Sequence, residues 1–227
     1  MHLKIKNFVY TPIPKSACTT LKKECLRIMD DKRAIKGKIT LTDRHNITDI
    51  HLFFKEAGFL RVSENNIVSK NLFHFSFVRD PYDRFVSAYL SKIKNKSYIS
   101  GTKYFSLGGV SKAMLARDNR LKGGVSFPRF VELFQMNKKI RKDIHFKPQT
   151  SFISDSGWDR LNFLGRVETF DADWKELCGL IGIDYCPLEK INSSISPVKY
   201  REFYTPEILE VVEHYYAKDL ERFNYSF

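Results

Sequence analysis

The chain lacks any apolar run near the roughly 20 residues that a membrane-spanning helix needs. Its first residues, MHLKIKNF, have no apolar core of the kind a secretory signal carries. A soluble protein is expected. Cysteine is scarce: Cys18, Cys25, Cys178 and Cys186 show no C-x-x-C spacing and no paired metal-ligand pattern. The common zinc and dithiol motifs are thereby excluded. Reduced thiols are the expectation, with a Cys178–Cys186 bridge as the alternative. No internal repeat, low-complexity tract or Pro/Gly/Ser-rich linker interrupts the sequence, so nothing marks a domain boundary in its 227 residues.

Acidic residues are in the minority. The 26 Asp and Glu face 38 Lys and Arg, for a net charge of +12. That excess implies anionic partners: nucleotides, acidic polysaccharides, nucleic acid or a membrane surface. Apolar residues, at 43%, are plentiful enough to close a core, which excludes a disordered chain.

The apolar spacing divides the chain into strands and helices. NFVYTPI (7–13) reads as the first strand, and Leu21, Cys25, Ile28 and Met29 follow at helical spacing over 19–29. GKITLT predicts a short strand, and ITDIHLFFKEAG a helix stopped at Gly58. LFHFSFV (72–78) is nearly all apolar, as in a parallel strand covered on both faces. In RDPYDRFVSAYLSKIKN, Asp80 can cap a helix whose first position holds Pro81. Val86, Tyr89, Leu90 and Ile93 form its apolar stripe. Residues 95–128 are the least regular. FPRFVELF predicts a short helix, NFLGRVE a late strand, DADWKELCGLIG a helix closing on Gly182, and TPEILEVVEHYYAKDLERF a C-terminal helix. Crossovers longer than a hairpin turn predict an α/β fold, a central parallel sheet flanked by helices. Ligands of such sheets bind beyond the carboxyl ends of the strands. Two motifs fall at that edge.

The first is PKSACTT (14–20). A loop entering a helix exposes backbone N–H groups that have no intrahelical partner, and the helix dipole adds positive charge. Together they suit an anion. Ser16, Ala17 and Cys18 are small enough to let a phosphate approach the backbone. Thr19 and Thr20 add hydroxyls, and Lys15 a full charge. The plain alternative is an ordinary helix start with Ser16 or Thr19 as cap. The loop does not fit G-x-x-x-x-G-K-[ST], so a standard nucleoside triphosphate loop is excluded. The second motif is FVRDPYDRFVSAY. Arg79 closes a buried strand and Ser87 lies two helical turns on, a fork and a hydroxyl suited to a phosphate monoester. Here the plain alternatives are a salt bridge from Arg79 to Asp80 or Asp83, and a Ser87 that is merely small.

Together, IPKSACTTL and FVRDPYDRFVSAY resemble the two nucleotide-binding segments of sulfotransferases that use 3′-phosphoadenosine 5′-phosphosulfate (PAPS). DIHFKPQT (143–150) and FLGRVETFDADW (163–174) are similar to the carbohydrate branch. The tail YREFYTPEILEVVEHYYAKDLERFNY is similar to its bacterial members. The resemblance implies a P-loop-like domain over 1–227, with 95–135 as an insertion on the acceptor side. It implies PAPS as co-substrate, no metal, and a carbohydrate acceptor, an acidic polysaccharide or lipid-linked saccharide among the options. Members of the secretory pathway carry an anchor and stem that this sequence does not show, so a bacterial cytoplasmic enzyme is expected. Lys15 would stand by the oxygen bridging phosphate and sulfate, and Ser16, Ala17, Cys18, Thr19 and Thr20 would cradle the 5′-phosphate. Arg79 and Ser87 would bind the 3′-phosphate. Lys199, after the SSISPV loop, would be a weaker nucleotide contact.

An acceptor hydroxyl needs a general base, because it is not ionised at neutral pH. His145 in DIHFKPQT and His45 in TDRHNI are the two candidates; the resemblance places a catalytic histidine of related sugar sulfotransferases in the interval that holds His45. His51 and His74 are weaker, and Glu168 reads as structural. Tyr98, Tyr104, Phe105, Arg117, Arg120 and Lys122 offer aromatic faces and cations for a sugar acceptor. Two rival readings stand beside this one. A metal-dependent kinase with a degenerate loop needs a carboxylate placed for Mg²⁺, which neither motif supplies. A basic module for nucleic acid or membrane accounts for the charge but not for two phosphate loops at one sheet edge.

Overall fold

The computed structural model describes residues 2–5, 7–28, 61–69, 71–94, 114, 117–122, 124–188 and 199–227. The strand expected in GKITLT and the helix expected in ITDIHLFFKEAG lie outside the described residues. The chain divides into two compact units, Met1–Val78 with Phe152–Asn192, and Arg79–Ser151 with Ser193–Phe227.

The first unit is built on a five-stranded sheet. Its strands are β1 (His2–Ile5), β2 (Phe8–Thr11), β3 (Arg61–Val62), β4 (Phe73–Val78) and β5 (Phe163–Arg166), in the order β3-β1-β2-β4-β5. β2, β4 and β5 run parallel, as expected for strands joined by long crossovers. β1 pairs antiparallel with both β2 and β3, so the expected central parallel strands carry an antiparallel edge. Ile5 pairs with Phe8, a connection too short for a parallel crossover, so β1 and β2 must run antiparallel. β1 was not foreseen because HLKI carries only two apolar side chains, Leu3 and Ile5, both fully buried.

Alternation along the strands sorts side chains between the two faces of the sheet. Leu3, Ile5, Phe8, Tyr10, Phe75 and Phe77 share one face and pack with Leu21, Cys25 and Ile28 of helix α1 (Cys18–Ile28). Trp174, Leu177 and Cys178 of a later helix, Phe170–Ile181, complete this core. All four cysteines are free thiols, so Cys178 and Cys186 are not bridged. The other face carries His2, Thr11, His74 and Ser76. The Thr11 hydroxyl lies 2.6 Å from His2 Nδ1 and 2.7 Å from His74 Nε2. Glu64 opens helix α2 (Glu64–Ser69), stands 3.5 Å from His2 Nε2, and accepts from the Ser154 N–H and hydroxyl.

The second unit is helical. α3 (Pro81–Tyr89) begins as the sequence predicts: Asp80 accepts from the Tyr82 N–H at 2.8 Å, and Pro81 takes the first turn. Every residue of α3 is buried. It ends in a π-helical turn, Leu90–Lys94, where Ile93 is fully buried and Leu90 only partly. α4 (Phe127–Met136) and α5 (Lys138–Arg141) follow. A 3₁₀ turn covers Gln149–Phe152, and the next two helices belong to the first unit: α6 is Asp155–Asp159. α7 (Phe170–Ile181) ends at Gly182, whose φ of 67° is the left-handed cap foreseen for it. α8 (Pro206–Phe223) is capped by the Thr205 side chain. The core of the second unit is aromatic. The Phe85 ring contacts Phe127, Phe130, Phe134, Phe146 and Tyr216.

Candidate functional site

β2 and β4 are hydrogen-bonded neighbours in parallel register, Thr11 opposite Ser76, so the chain leaves both at the same edge of the sheet. From β2 it passes through Pro12 and Ile13 into a turn over 14–17 and then into α1. Lys15 has φ 71° and Ala17 has φ 54°, while Ser16 between them does not. Left-handed backbone is costly for residues with a Cβ, about 1–2 kcal/mol each. Alternation of hand along successive residues turns consecutive N–H groups toward one side, the arrangement of an anion-binding nest. The Ser16 N–H donates to Ile13 O at 3.2 Å, and the Leu21 N–H to Ala17 O at 3.0 Å, which starts the helix. The first turn of α1 holds no acidic residue. Ser16, Cys18 and Thr20 are buried, and Lys15, Ala17 and Thr19 are partly exposed. The turn can thus offer an anion main-chain N–H groups, hydroxyls and one ammonium.

Arg79 follows β4 directly. Its Nε and Nη2 meet Asp83 Oδ2 at 2.8 and 2.7 Å, one turn along α3. Its Nη1 donates to Ser87 Oγ at 3.2 Å. The salt bridge with Asp83, one of the plain alternatives, is therefore present, and so is the pairing with Ser87. Because Ser87 Oγ accepts from Arg79, its own O–H is a donor. The main chain of Arg79 is held as well. Its N–H donates to Gln149 Oε1 at 3.0 Å, and its carbonyl accepts from Gln149 Nε2 at 2.8 Å. Asp80 also accepts from the Tyr200 hydroxyl at 2.7 Å. Burial and this bond push the Tyr200 phenol well up. Lys199 sits exposed beside Tyr200 at the start of a 3₁₀ turn, Lys199–Phe203. The loop before it, 193–198, lies outside the described residues.

His145 faces Asp143, its Nδ1 at 2.7 Å from Oδ1, and its N–H donates to the same oxygen at 3.0 Å. The other carboxylate oxygen binds Arg117 Nε and Nη2 at 3.0 and 2.9 Å. Burial works to raise the Asp143 pKa, but the bonds from His145 and the charge of Arg117 hold it well below the usual carboxylate range. An ionised Asp143 can only accept, so the Nδ1 of a neutral His145 carries the proton and Nε2 the lone pair. His145 is partly exposed. Arg120 pairs with Asp118, Nη2 to Oδ2 at 2.7 Å, and Lys122 is exposed. Glu168 is exposed, and His74 is buried against Thr11. His45, His51, Tyr98, Tyr104 and Phe105 lie outside the described residues.

Lys15 to Thr20 thus form one turn of the first unit. Arg79, Ser87, His145 and Lys199 belong to the second, where Arg79 and Ser87 are in direct contact. Sequence reasoning did not single out Asp143, Gln149 or Asp219. Asp143 had a local sign, two positions before His145. The other two stand in quoted stretches, but they act on partners about 70 residues away that no local pattern reveals.

A profile of the sulfotransferase family matches residues 4–226. The match spans nearly the whole sequence, and the chain belongs to that family. It is a transferase that moves a sulfuryl group to an acceptor. Searches among curated proteins and among solved structures each found no match. Among the described residues no helix is long and apolar enough to cross a membrane.

Proposed function

We propose that the chain transfers the sulfuryl group of PAPS to a hydroxyl of a carbohydrate, acting as one sulfotransferase domain over 1–227. The observation that carries this reading is the shared sheet edge. β2 runs out into the Lys15–Thr20 turn, β4 runs out into Arg79, and the two strands are parallel neighbours. The donor sets fit the two ends of a doubly phosphorylated adenosine. The left-handed turn, free of first-turn acids, suits the 5′-phosphate, and the Arg79–Ser87 pair suits the 3′-phosphate.

PAPS supplies an activated sulfuryl group on a phosphate leaving group. Negative charge grows on the leaving oxygen as the bond to sulfur breaks. Lys15 and the N–H groups of the turn would stabilise that charge where it develops. Arg79 and Ser87 would hold the distal phosphate and set the nucleotide's register, and Lys199 would add a cation at its edge. His145, with Nδ1–H held by Asp143, has the tautomer that lets Nε2 take the acceptor's proton. His45 is the other candidate for that step. No step of the proposed mechanism calls on a metal ion.

The test is turnover with PAPS and a saccharide acceptor, beside calorimetry with adenosine 3′,5′-bisphosphate. Lys15→Ala should lower turnover by about 100-fold or more. The wild type should bind the bisphosphate, and Arg79→Ala should bind it more weakly. Undiminished binding in Arg79→Ala would contradict the nucleotide assignment. Turnover abolished by chelators would favour the metal-dependent kinase.

A further inference from the structure

Arg79 occupies the first position beyond β4, where the sheet no longer supplies its main chain with a partner strand. A side chain takes over that task. The Gln149 carboxamide accepts from the Arg79 N–H at 3.0 Å and donates to the Arg79 carbonyl at 2.8 Å. Only this orientation of the amide serves both groups, and the two-point contact copies the exchange between strands. Gln149 is fully buried. Its own main chain is pinned from α8: Asp219 Oδ2 accepts from the Gln149 N–H at 2.7 Å, and Oδ1 from the Thr150 N–H and hydroxyl at 2.9 and 2.8 Å. Asp219 is fully buried, and burial raises its pKa although the bonds from Thr150 and Gln149 and the charge of the buried Arg84 favour the ionised form. A carboxylate in such a place is costly unless it is fully bonded. Here it fixes one turn, and that turn fixes Arg79.

We propose that Gln149 is a positioning residue for nucleotide recognition. Its carboxamide locks the Arg79 main chain so that the guanidinium, already braced by Asp83 and Ser87, meets the 3′-phosphate without having to be ordered first. Asp219 is the anchor that holds Gln149 in place. Binding then loses less freedom at this point, and the contribution appears as affinity for the 3′-phosphate alone. This inference rests on the assignment of Arg79 to the 3′-phosphate.

The experiment compares two probes, adenosine 3′,5′-bisphosphate and adenosine 5′-monophosphate, by calorimetry on the full chain. The proteins are wild type, Arg79→Ala, Gln149→Glu, Gln149→Leu and the double variant Arg79→Ala/Gln149→Glu. Gln149→Glu keeps the side chain's size, removes the donor to the Arg79 carbonyl, and serves if Gln149→Leu fails to fold. Either Gln149 variant should weaken the bisphosphate by about tenfold and leave the monophosphate unchanged. In the Arg79→Ala background, Gln149→Glu should cost nothing further. Equal weakening of both nucleotides, or a full additive loss in the double variant, would overturn the proposal. An Arg79→Ala protein that still prefers the bisphosphate as wild type does would instead overturn the assignment of Arg79 itself.

Discussion

Asp143 gives His145 more than a neighbour. One carboxylate oxygen fixes the imidazole, and the other is held by Arg117, so the ring's orientation depends on a pair of charges that sequence distance conceals. His145→Gln is expected to lower kcat by about 10²–10⁴-fold while nucleotide affinity stays at the wild-type value. Asp143→Asn should lower kcat in the same direction and by less. Steady-state kinetics beside calorimetry checks both. A His145→Gln enzyme that turns over normally would pass the base role to His45. His145 was legible because it stands in a motif. Gln149 stands in the same motif but was not, because its partners Arg79 and Asp219 lie far away in the chain and a glutamine that opens a short turn reads as polar surface. Asp219 misleads further, since a carboxylate among Lys218, Glu221 and Arg222 looks solvated yet is fully buried.

Strong local chemistry made most elements readable. Asp80 and Pro81 start α3, Thr205 and Pro206 start α8, and Gly182 stops α7, each through a terminal hydrogen bond or a preset φ. β1 escaped because its apolar pattern is too short to declare itself, and the stripe through Leu90 and Ile93 predicts a helix there without telling the α form from the π form. Glycine in β5 carries a different message. Gly165 pairs with Phe77 across the parallel ladder, and an added Cβ would run into the Phe77 ring. That ring is fully buried against Phe163 and Phe170 and has nowhere to move. Gly165→Ala should therefore destabilise the fold by about 1–3 kcal/mol, read as a shift in urea midpoint.

Acid should weaken the fold through the histidine face of the sheet. Burial, and then the charge of His2, push His74 down to about 4, while Glu64 pulls weakly the other way. Burial also lowers His2. An unfolded histidine titrates near 6.5, so the unfolded chain takes up protons first as pH falls. Stability should be level above that value, decline as pH drops from about 6.5 towards 4, and approach a slope of about 1.4 kcal/mol per pH unit from His74 within the window. Urea midpoints across the window measure it, and His74→Gln should flatten the curve. Glu64, whose carboxyl is lowered by its bonds to Ser154 although burial opposes this, adds a further loss below its ordinary value of 4.5.

The left-handed residue at position 17 carries one more implication. Alanine is a poor occupant of that backbone region, and glycine is an easy one. Ala17→Gly should therefore make a protein that melts later, by up to about 1 kcal/mol once the looser unfolded chain is counted. The same change would let the turn proposed to hold the 5′-phosphate sample other shapes, so the catalytic rate should drop. A variant selected only for heat resistance would drift towards the slower enzyme, and the residue found at 17 records which of the two properties was kept.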